Sequence, residues 1–391
     1  MDKKERNLWV DYLRSTMIVL VIAHHSSLAY TTFAWFDKNI YAHSTHPIVD
    51  GKRWIGLDVF ENFNDIFFMS LLFFIGGLFL NRSIAKKGIF LFIKDRFFRL
   101  FIPFFVPGTL LMLLTCLPSY HLIHPHINMM EYLVDFFTTE QWPAGPFWFI
   151  GVLFAFNLIF SLLYHLFKKI ETKSAPFFSY LMNRPFVFFV FLFFVTWLLY
   201  VPLAYNFGAG TWVGFGPFDF QLSRIFLYFG YFLIGIFIGC TDFNQGIFSI
   251  NARIIKRWWL WTLLAFCIYT VLTVISDPLT QFVKAGVIKG FYAWMIYYIL
   301  YAASCTISFM AFITVFRKYV TKQKRWMNSL SANAYLIYLI HFVFVIWLQY
   351  LLLDFNIPAF FKFVVTFAMA LSLSWIVSCF LRKNKLINKY I

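Results

Sequence analysis

Ten long runs of apolar residues follow one another along the chain, separated by short polar or basic segments. A run of about 20 residues is enough for a helix to cross a bilayer. The runs are continuously apolar and do not alternate at every second residue, as the strands of a membrane barrel would. The pattern therefore predicts an all-α polytopic membrane protein, with a single integral-membrane domain over residues 1–391. The predicted spans lie near residues 8–30, 60–80, 98–117, 146–167, 185–203, 224–240, 258–275, 288–316, 333–353 and 358–381.

The first predicted span carries four ionisable residues, and such residues inside a membrane are costly enough to be functional candidates. Arg14 and His25 are eleven residues apart, about three helical turns, so they share a face and lie roughly 16 Å apart along the helix axis. Asp11 precedes Arg14 by three positions and can pair with it. His24 lies about 80° away from the Arg14 line, which makes His25 the stronger candidate of the two histidines.

Composition excludes a soluble protein. Of the 391 residues, 61% are hydrophobic and 13% are charged, whereas soluble domains carry about 25% charged residues. The first apolar run is too long for the core of a signal peptide, and no small-residue cleavage site follows it, so we expect it to be retained. The net charge of +16 does not indicate nucleic-acid binding here, because in a membrane protein the positions of the charges matter more.

The distribution of Lys and Arg predicts the orientation. Of the 33 such residues, 25 fall in the two tails and in alternate loops, and Arg14 lies inside the first span. Because cytoplasmic loops carry the excess of positive charge, we expect both termini in the cytoplasm. The seven remaining cations fall in the opposite loops: Lys38, Lys52, Arg53, Arg224, Lys284, Lys289 and Lys362.

Further candidate residues lie near the outward ends of other spans. Asp58, Glu61 and Asp65 are spaced to share one helical face. If the second span returns antiparallel to the first, Glu61 comes to a depth similar to that of His25, where a carboxylate can fix a histidine tautomer. The alternative is a set of acids that favours the helix dipole at an exposed helix start. His341 lies inside the ninth span, and it has a packing interpretation as well as a functional one.

A basic segment precedes the third span. Within it, Arg96 and Arg99 are three residues apart and share a face where the chain enters the membrane. Paired guanidinium groups are well suited to binding phosphate. Ordinary positive-inside anchoring is the alternative, and it accounts well for the neighbouring Lys86 and Lys87.

The outward loops are rich in histidine, but we expect no metal site. No helical or hairpin spacing brings the loop histidines together, so flexible surface histidines are the preferred interpretation. The five cysteines show no metal-ligand spacing and are expected to pack as small apolar residues. These histidines are His43, His46, His121, His124 and His126.

Several segments resemble, in order, those of the acyltransferase 3 family of bacterial membrane O-acyltransferases. Asp11-Tyr12-Leu13-Arg14 followed by ten residues and His25 resembles the first-helix signature of the family. FFMSLLFFIGGLFL (67–80) is similar to its second helix, and DRFFRLFIP (95–103) to its paired-arginine segment. GPFWFI (145–150) and LSANAYLIYLIH (330–341) resemble two later elements. One departure is Ile-Gly-Gly at 75–77, where the family usually has Ser-Gly.

The resemblance implies a multi-pass acyltransferase of the bacterial cytoplasmic membrane. Acetyl-CoA or succinyl-CoA would be a co-substrate on the cytoplasmic side, with no permanently bound cofactor, and the acceptor would be a hydroxyl of an extracytoplasmic glycan. Under this interpretation His25 is the general base, with Glu61 as its acidic partner, and Arg14, steadied by Asp11, holds or polarises the donor. Arg96 and Arg99 bind the CoA phosphates. Trp148, which is also a typical interfacial belt residue, and His341 line the site.

One alternative comes from another class of protein. A carrier or flippase that exports a glycan or a lipid would also need intramembrane charges and many aromatic residues. Substitution of His25 would alter substrate binding or coupling in a carrier, whereas it would abolish transfer in an enzyme while donor binding remained. The sequence leaves the acyl group and the acceptor open, and it leaves the oligomeric state open between a monomer and a homodimer.

Overall fold

The computed structural model describes residues 7–126, 128–241, 245–385 and 387. Fifteen α-helices account for most of the described residues, and one two-stranded antiparallel sheet is present among them. The predicted all-α polytopic fold is therefore confirmed. Four of the cations used to predict the orientation, Lys3, Lys4, Arg6 and Lys389, lie outside the described residues.

The elements are numbered here in chain order. The helices are α1 Leu8–Leu28, α2 Ile55–Gly77, α3 Leu80–Lys87, α4 Ile89–Arg96, α5 Ile102–Ile123, α6 Met129–Phe137, α7 Trp148–Leu162, α8 Tyr164–Met182, α9 Pro185–Phe207, α10 Ile225–Gly239, α11 Arg253–Lys256, α12 Trp258–Lys284, α13 Gly290–Tyr319, α14 Arg325–Leu351 and α15 Ala359–Leu381. The strands are β1 Trp212–Val213 and β2 Phe220–Gln221. A π-helical turn, Phe97–Phe101, joins α4 to α5.

Nine stretches of the described chain are helical, long and apolar enough to cross a membrane. They correspond to the second to tenth predicted spans. The first helix, α1, is not among them, since Asp11, Arg14 and two histidines lower its hydropathy. It nevertheless packs along α2, α13, α14 and α15. A helix so enclosed needs less apolar surface than one that faces lipid, because most of its side chains pack against protein. The predicted total of ten spans is therefore reached only if α1 also crosses the membrane.

Five helices lie wholly or mostly outside the predicted spans: α3, α4, α6, α8 and α11. Of these, α6 lies in the loop between α5 and α7, and α8 follows directly after α7 on the other side. Both have strongly amphipathic patterns, with charged residues such as Glu131 and Lys168 beside exposed apolar ones. Neither helix is both long and apolar enough to cross a membrane. The fourth predicted span, 146–167, extends too far because its last residues, 164–167, already belong to α8.

Close packing of α2 against α10 depends on glycine. A side-chain Cβ at Gly77 would collide with the backbone oxygen of Phe232, and one at Gly235 would collide with that of Phe74. Such approaches of two helix backbones are typical of small residues at membrane-helix interfaces. The Ile-Gly-Gly segment at 75–77 therefore has a packing role at its last position.

Candidate active site

Four histidine rings converge at one end of the bundle. His24 and His25 come from the last turn of α1, His341 from α14, and His46 from the loop between α1 and α2. The ring centroid of His25 lies 5.4 Å from that of His24, 5.4 Å from that of His341 and 6.5 Å from that of His46. His25 is therefore the central ring of the cluster. We call this end of the bundle, which is predicted to face outward, the outer end, and the opposite end the inner end.

Hydrogen bonds set the tautomers of two of these rings. The side-chain amide of Gln349 donates to the backbone oxygens of His25 (3.1 Å) and Ser26 (3.3 Å), so its Oε1 accepts from Nε2–H of His46 at 2.8 Å. Burial lowers the pKa of His46 to about 3, which keeps this ring neutral. In His341, Nδ1 donates to the backbone oxygen of Tyr338 at 2.6 Å. A neutral His341 therefore carries its lone pair on Nε2, which has no partner among the described residues.

His25 differs from its three neighbours in exposure. The side chains of His24, His46 and His341 are buried, whereas His25 is partly exposed. Neither ring nitrogen of His25 forms a hydrogen bond with another described residue, and its Nδ1 is buried. His25 is therefore the member of the cluster that is open to a substrate, through Nε2 and not through the buried Nδ1, and the surrounding rings pack against it.

The loop that supplies His46 is held by contacts with three distant elements. Glu140 accepts hydrogen bonds from the backbone nitrogens of Tyr41 (3.1 Å) and Ala42 (2.6 Å). Burial raises the pKa of Glu140 to about 7, although these hydrogen bonds act in the opposite direction. Ser119 donates to the backbone oxygen of residue 47 at 2.7 Å. Lys362 forms a 2.5 Å ion pair with Asp50 inside the protein.

Glu61 lies beside His24 and not beside His25. Its Oε1 is 3.7 Å from Nε2 of His24, slightly beyond hydrogen-bond distance. The prediction had placed this carboxylate next to His25, and the placement is wrong because α2 approaches α1 from the side on which His24 points. Adjacent residues of a helix are about 100° apart, so one neighbour can face only one of the two histidines.

An ion pair between the buried Arg224 and the partly exposed Asp65 lies behind His24 and was not predicted. Arg224 donates from Nη1 to Oδ1 of Asp65 (2.6 Å) and from Nη2 to Oδ2 (2.5 Å), a two-point contact. The guanidinium also lies over the ring of Tyr200, with 5.9 Å between its Cζ and the ring centroid. The charges of Asp65 and Arg224 both interact electrostatically with the ring of His24. In the sequence, Arg224 is a cation directly before an apolar run, and it was counted among the outward loop charges.

The predicted arginines lie towards the inner end. Arg14 pairs with Asp11 at 3.4 Å, as its spacing predicted, and its side chain is exposed. Arg96 is partly buried over the ring of Phe92, 4.9 Å away, and its Nε has no partner among the described residues. Arg99 is exposed and pairs with Asp95 at 3.0 Å. Arg99 belongs to the π-helical turn, a deviation that is frequent at functional sites.

Helix α14 connects the two ends. The hydroxyl of Tyr335 donates to the backbone oxygen of Arg99 at 2.7 Å. One turn further, the hydroxyl of Tyr338 donates to the backbone oxygen of Pro146, and its ring centroid lies 5.6 Å from that of His341. Six residues separate Tyr335 from His341, or about 9 Å along the helix. The backbone of the arginine segment is therefore separated from the histidine cluster by about 9 Å in depth.

Trp148 lies to one side of the cluster. Its ring stacks on Tyr228 at 5.8 Å and meets Trp212 edge-on at 5.6 Å. Within the described part of the chain, no ring contact joins it to the four histidines. Tyr228, on which Trp148 stacks, lies beside Arg224. Trp148 is therefore connected to the histidine cluster indirectly, through Tyr228 and the Asp65–Arg224 pair.

The fold and the cluster define a multi-pass helical membrane protein with a histidine-centred site at its outer end. Residues 7–379 match the acyltransferase 3 family model, which is described as an acyltransferase domain, and the chain belongs to this family. Membership of this family supports the conclusion that the protein is a membrane acyltransferase. Comparisons with curated proteins and with solved structures gave no match. In the described ranges, no group of three or more His, Cys, Asp or Glu side chains is arranged to hold a metal ion.

Proposed function

We propose that the protein transfers an acyl group from a cytoplasmic acyl-CoA to a hydroxyl of an extracytoplasmic glycan, with His25 as general base. The observation that carries this proposal is the state of His25: it is partly exposed, and its nitrogens have no hydrogen-bond partner among the described residues. Three buried histidines surround it, and two of them are fixed by hydrogen bonds. A positioned base of this kind contributes about 10²- to 10⁴-fold to a rate.

The proposed donor site is formed by Arg96 and Arg99, whose guanidinium groups would bind the phosphates of CoA. The short distance along α14 supports this arrangement, because the acyl end of a donor held at the arginines has about 9 Å to cross to reach the level of His341. Arg14, held by Asp11, lies on the His25 face of α1 about 16 Å nearer the inner end, where it would hold a part of the donor away from the reacting carbonyl.

The chemical step needs one base and no redox partner. A ring nitrogen of His25 takes the proton of the acceptor hydroxyl as its oxygen attacks the thioester carbonyl. The new C–O bond forms, the C–S bond breaks, and the CoA thiolate leaves and takes up the proton from His25. Glu61 and the Asp65–Arg224 pair would act on this step through His24, next to His25.

The donor and acceptor are proposed from resemblance. Within the family, the ten-span layout and the late helix segment ending at His341 resemble glucans biosynthesis protein C, a succinyltransferase for periplasmic glucans. This favours succinyl-CoA, with acetyl-CoA as the alternative donor, and a location in the bacterial cytoplasmic membrane. Trp148, beside Tyr228 and Trp212, would line the approach of the acceptor.

Binding of labelled acetyl-CoA and succinyl-CoA to the purified protein tests the donor site. We expect saturable binding of one donor, weakened about 10²- to 10⁴-fold in Arg96→Ala/Arg99→Ala, because charge-assisted hydrogen bonds contribute on the order of 1.5–3 kcal/mol each and two guanidinium groups are removed. Lys168→Ala/Lys169→Ala removes two exposed cations elsewhere and serves as the matched control. No binding of either donor would contradict the proposal and favour the carrier.

A further inference from the structure

A shallow cavity of about 320 Å³, largely open to its surroundings, lies between the inner ends of α14 and α15. The described residues that line it are Asn333 from α14, and Cys379, Arg382 and Lys383 from the end of α15. Among these described residues, two are cations and none is an acid. The proposed donor arginines belong to α4 and the π-helical turn, so this basic cavity is a separate feature.

Asn333 contributes a buried polar side chain to the lining of the cavity. Its side chain is 6% exposed. Its amide nitrogen donates to the backbone oxygen of Ser329 at 2.8 Å and contacts the sulfur of Cys379 at 3.3 Å. Its Oδ1 has no partner among the described residues. A buried amide oxygen without a partner is unfavourable, so a ligand that carries a hydrogen-bond donor would satisfy it.

The surroundings of the cavity are those of a membrane interface. Ile376 and Phe380, four residues apart on α15, are strongly exposed and apolar, and they lie on the membrane side of Arg382. Trp326, at the start of α14, is exposed as well. Helix α15 is a peripheral span with most of its surface outside the protein core. An occupant with a phosphate at the cations and hydrocarbon along Ile376 and Phe380 fits this surface, whereas a free phosphate would leave the apolar ridge unused.

We propose that this cavity binds the headgroup of an anionic phospholipid that also carries a hydroxyl, as phosphatidylglycerol does. Arg382 and Lys383 contact the phosphate, Asn333 accepts a hydrogen bond from the headgroup hydroxyl, and the acyl chains follow Ile376 and Phe380. Basic pockets between membrane helices on the cytoplasmic side are suited to such headgroups. The bound lipid joins α14, which carries Tyr335 and His341, to α15. The proposal does not depend on the acyl-transfer reaction.

Native mass spectrometry of the delipidated full-length protein tests this site by titration with phosphatidylglycerol, phosphatidic acid or phosphatidylcholine. We expect phosphatidylglycerol to bind best and phosphatidylcholine worst. Arg382→Gln/Lys383→Gln should weaken phosphatidylglycerol binding by roughly thirtyfold, since each cation near an anionic headgroup contributes on the order of a fivefold gain. Lys168→Gln/Lys169→Gln, with the same loss of charge on α8, should leave binding unchanged.

Three outcomes would overturn the proposal. Equal binding to wild type and to Arg382→Gln/Lys383→Gln would show that the lipid lies elsewhere. Equal binding of phosphatidylglycerol and phosphatidylcholine would exclude recognition of the headgroup. Sodium phosphate is added as a competitor, and displacement of the lipid at equal concentration would identify a free-phosphate site. Circular dichroism and thermal unfolding of each variant establish that it is folded.

Discussion

The ion pairs at the two ends of the protein differ in their exposure to solvent. At the outer end, Lys362 is 0% exposed and its partner Asp50 is 3% exposed. At the inner end, Arg14 is 48% exposed in its pair with Asp11, and Arg99 is 46% exposed in its pair with Asp95. The buried pair has a single geometry fixed by its surroundings. The exposed pairs are screened by salt and can exchange partners.

This difference suits different tasks. A base must be held in position relative to the reacting atoms, and the outer end holds His25 among buried rings and hydrogen-bonded loops. A site for a charged, mobile donor must instead release its own counterions when the donor arrives, and the inner end offers Arg99 in a pair that costs little to break. We therefore expect the outer end to be rigid, and the cations of the inner end to exchange their acidic partners for the donor.

The largest expected effect comes from removing the base. We expect His25→Ala to lower kcat for acyl transfer by about 10²- to 10⁴-fold, because no other nitrogen of the cluster is comparably exposed in the described chain. Donor affinity should stay within about twofold of wild type, since the proposed phosphate site lies at the other end. The measurement combines single-turnover transfer with donor titration.

The exposed loop histidine His43 provides the control, and His43→Ala should retain wild-type transfer. Retention of more than a tenth of kcat in His25→Ala would disprove its role as base. A parallel loss of donor binding would show that the two ends are not separate sites.

The second effect is on stability. Lys362→Met should lower the free energy of unfolding by about 3–5 kcal/mol, because it leaves the carboxylate of Asp50 buried and unpaired. Lys362→Met/Asp50→Asn should recover part of this loss, since the uncompensated charge is then gone. Denaturant unfolding in detergent measures both variants. A loss below about 1 kcal/mol in Lys362→Met would mean that water reaches this pair and that the outer end is less rigid than the geometry indicates.

Sequence patterns predicted the local features of this protein well. The spans followed from hydrophobic length, and the Asp11–Arg14 pair followed from a three-residue spacing within one helix. Local spacing also singled out the two arginines before the third span, and their role in binding phosphate stays a prediction. These predictions succeeded because helix geometry fixes the relation between residues a few positions apart, whatever the rest of the fold does.

Long-range features were missed because they depend on how the helices are rotated against each other. His46 was expected at the surface, yet Gln349, 303 positions away, holds it inside the cluster. Arg224 and Lys362 are loop cations by sequence, yet both side chains are buried and each pairs with an acid on a distant element. A cation at the start of a long apolar run is the one signal that could have identified these two. Glu61 was placed beside the wrong histidine for the same reason.

A third prediction concerns pH. Burial lowers the pKa of His46 to about 3 from 6.5, so the folded protein binds this proton more weakly than the unfolded chain does. The contribution of His46 to stability is full above pH 6.5 and declines by about 1.4 kcal/mol per pH unit as the pH falls from 6.5 towards 3. His46→Gln should therefore show a smaller loss of stability between pH 6.5 and 5 than wild type. Equal slopes in wild type and His46→Gln, with His43→Gln as the control, would contradict this.

The smallest expected effect concerns the inner end, where Asp95 pairs with both Lys87 and Arg99 at 3.0 Å. Asp95→Asn should change the free energy of unfolding by less than about 1 kcal/mol, because both pairs are exposed. It should also release Arg99 for the donor and tighten acyl-CoA binding by up to about fivefold at low salt. At roughly 1 M salt, where the Debye length falls to about 3 Å, this gain should disappear. Weaker donor binding in Asp95→Asn would show that Asp95 holds Arg99 in its binding position, and that the inner end is as rigidly organised as the outer end.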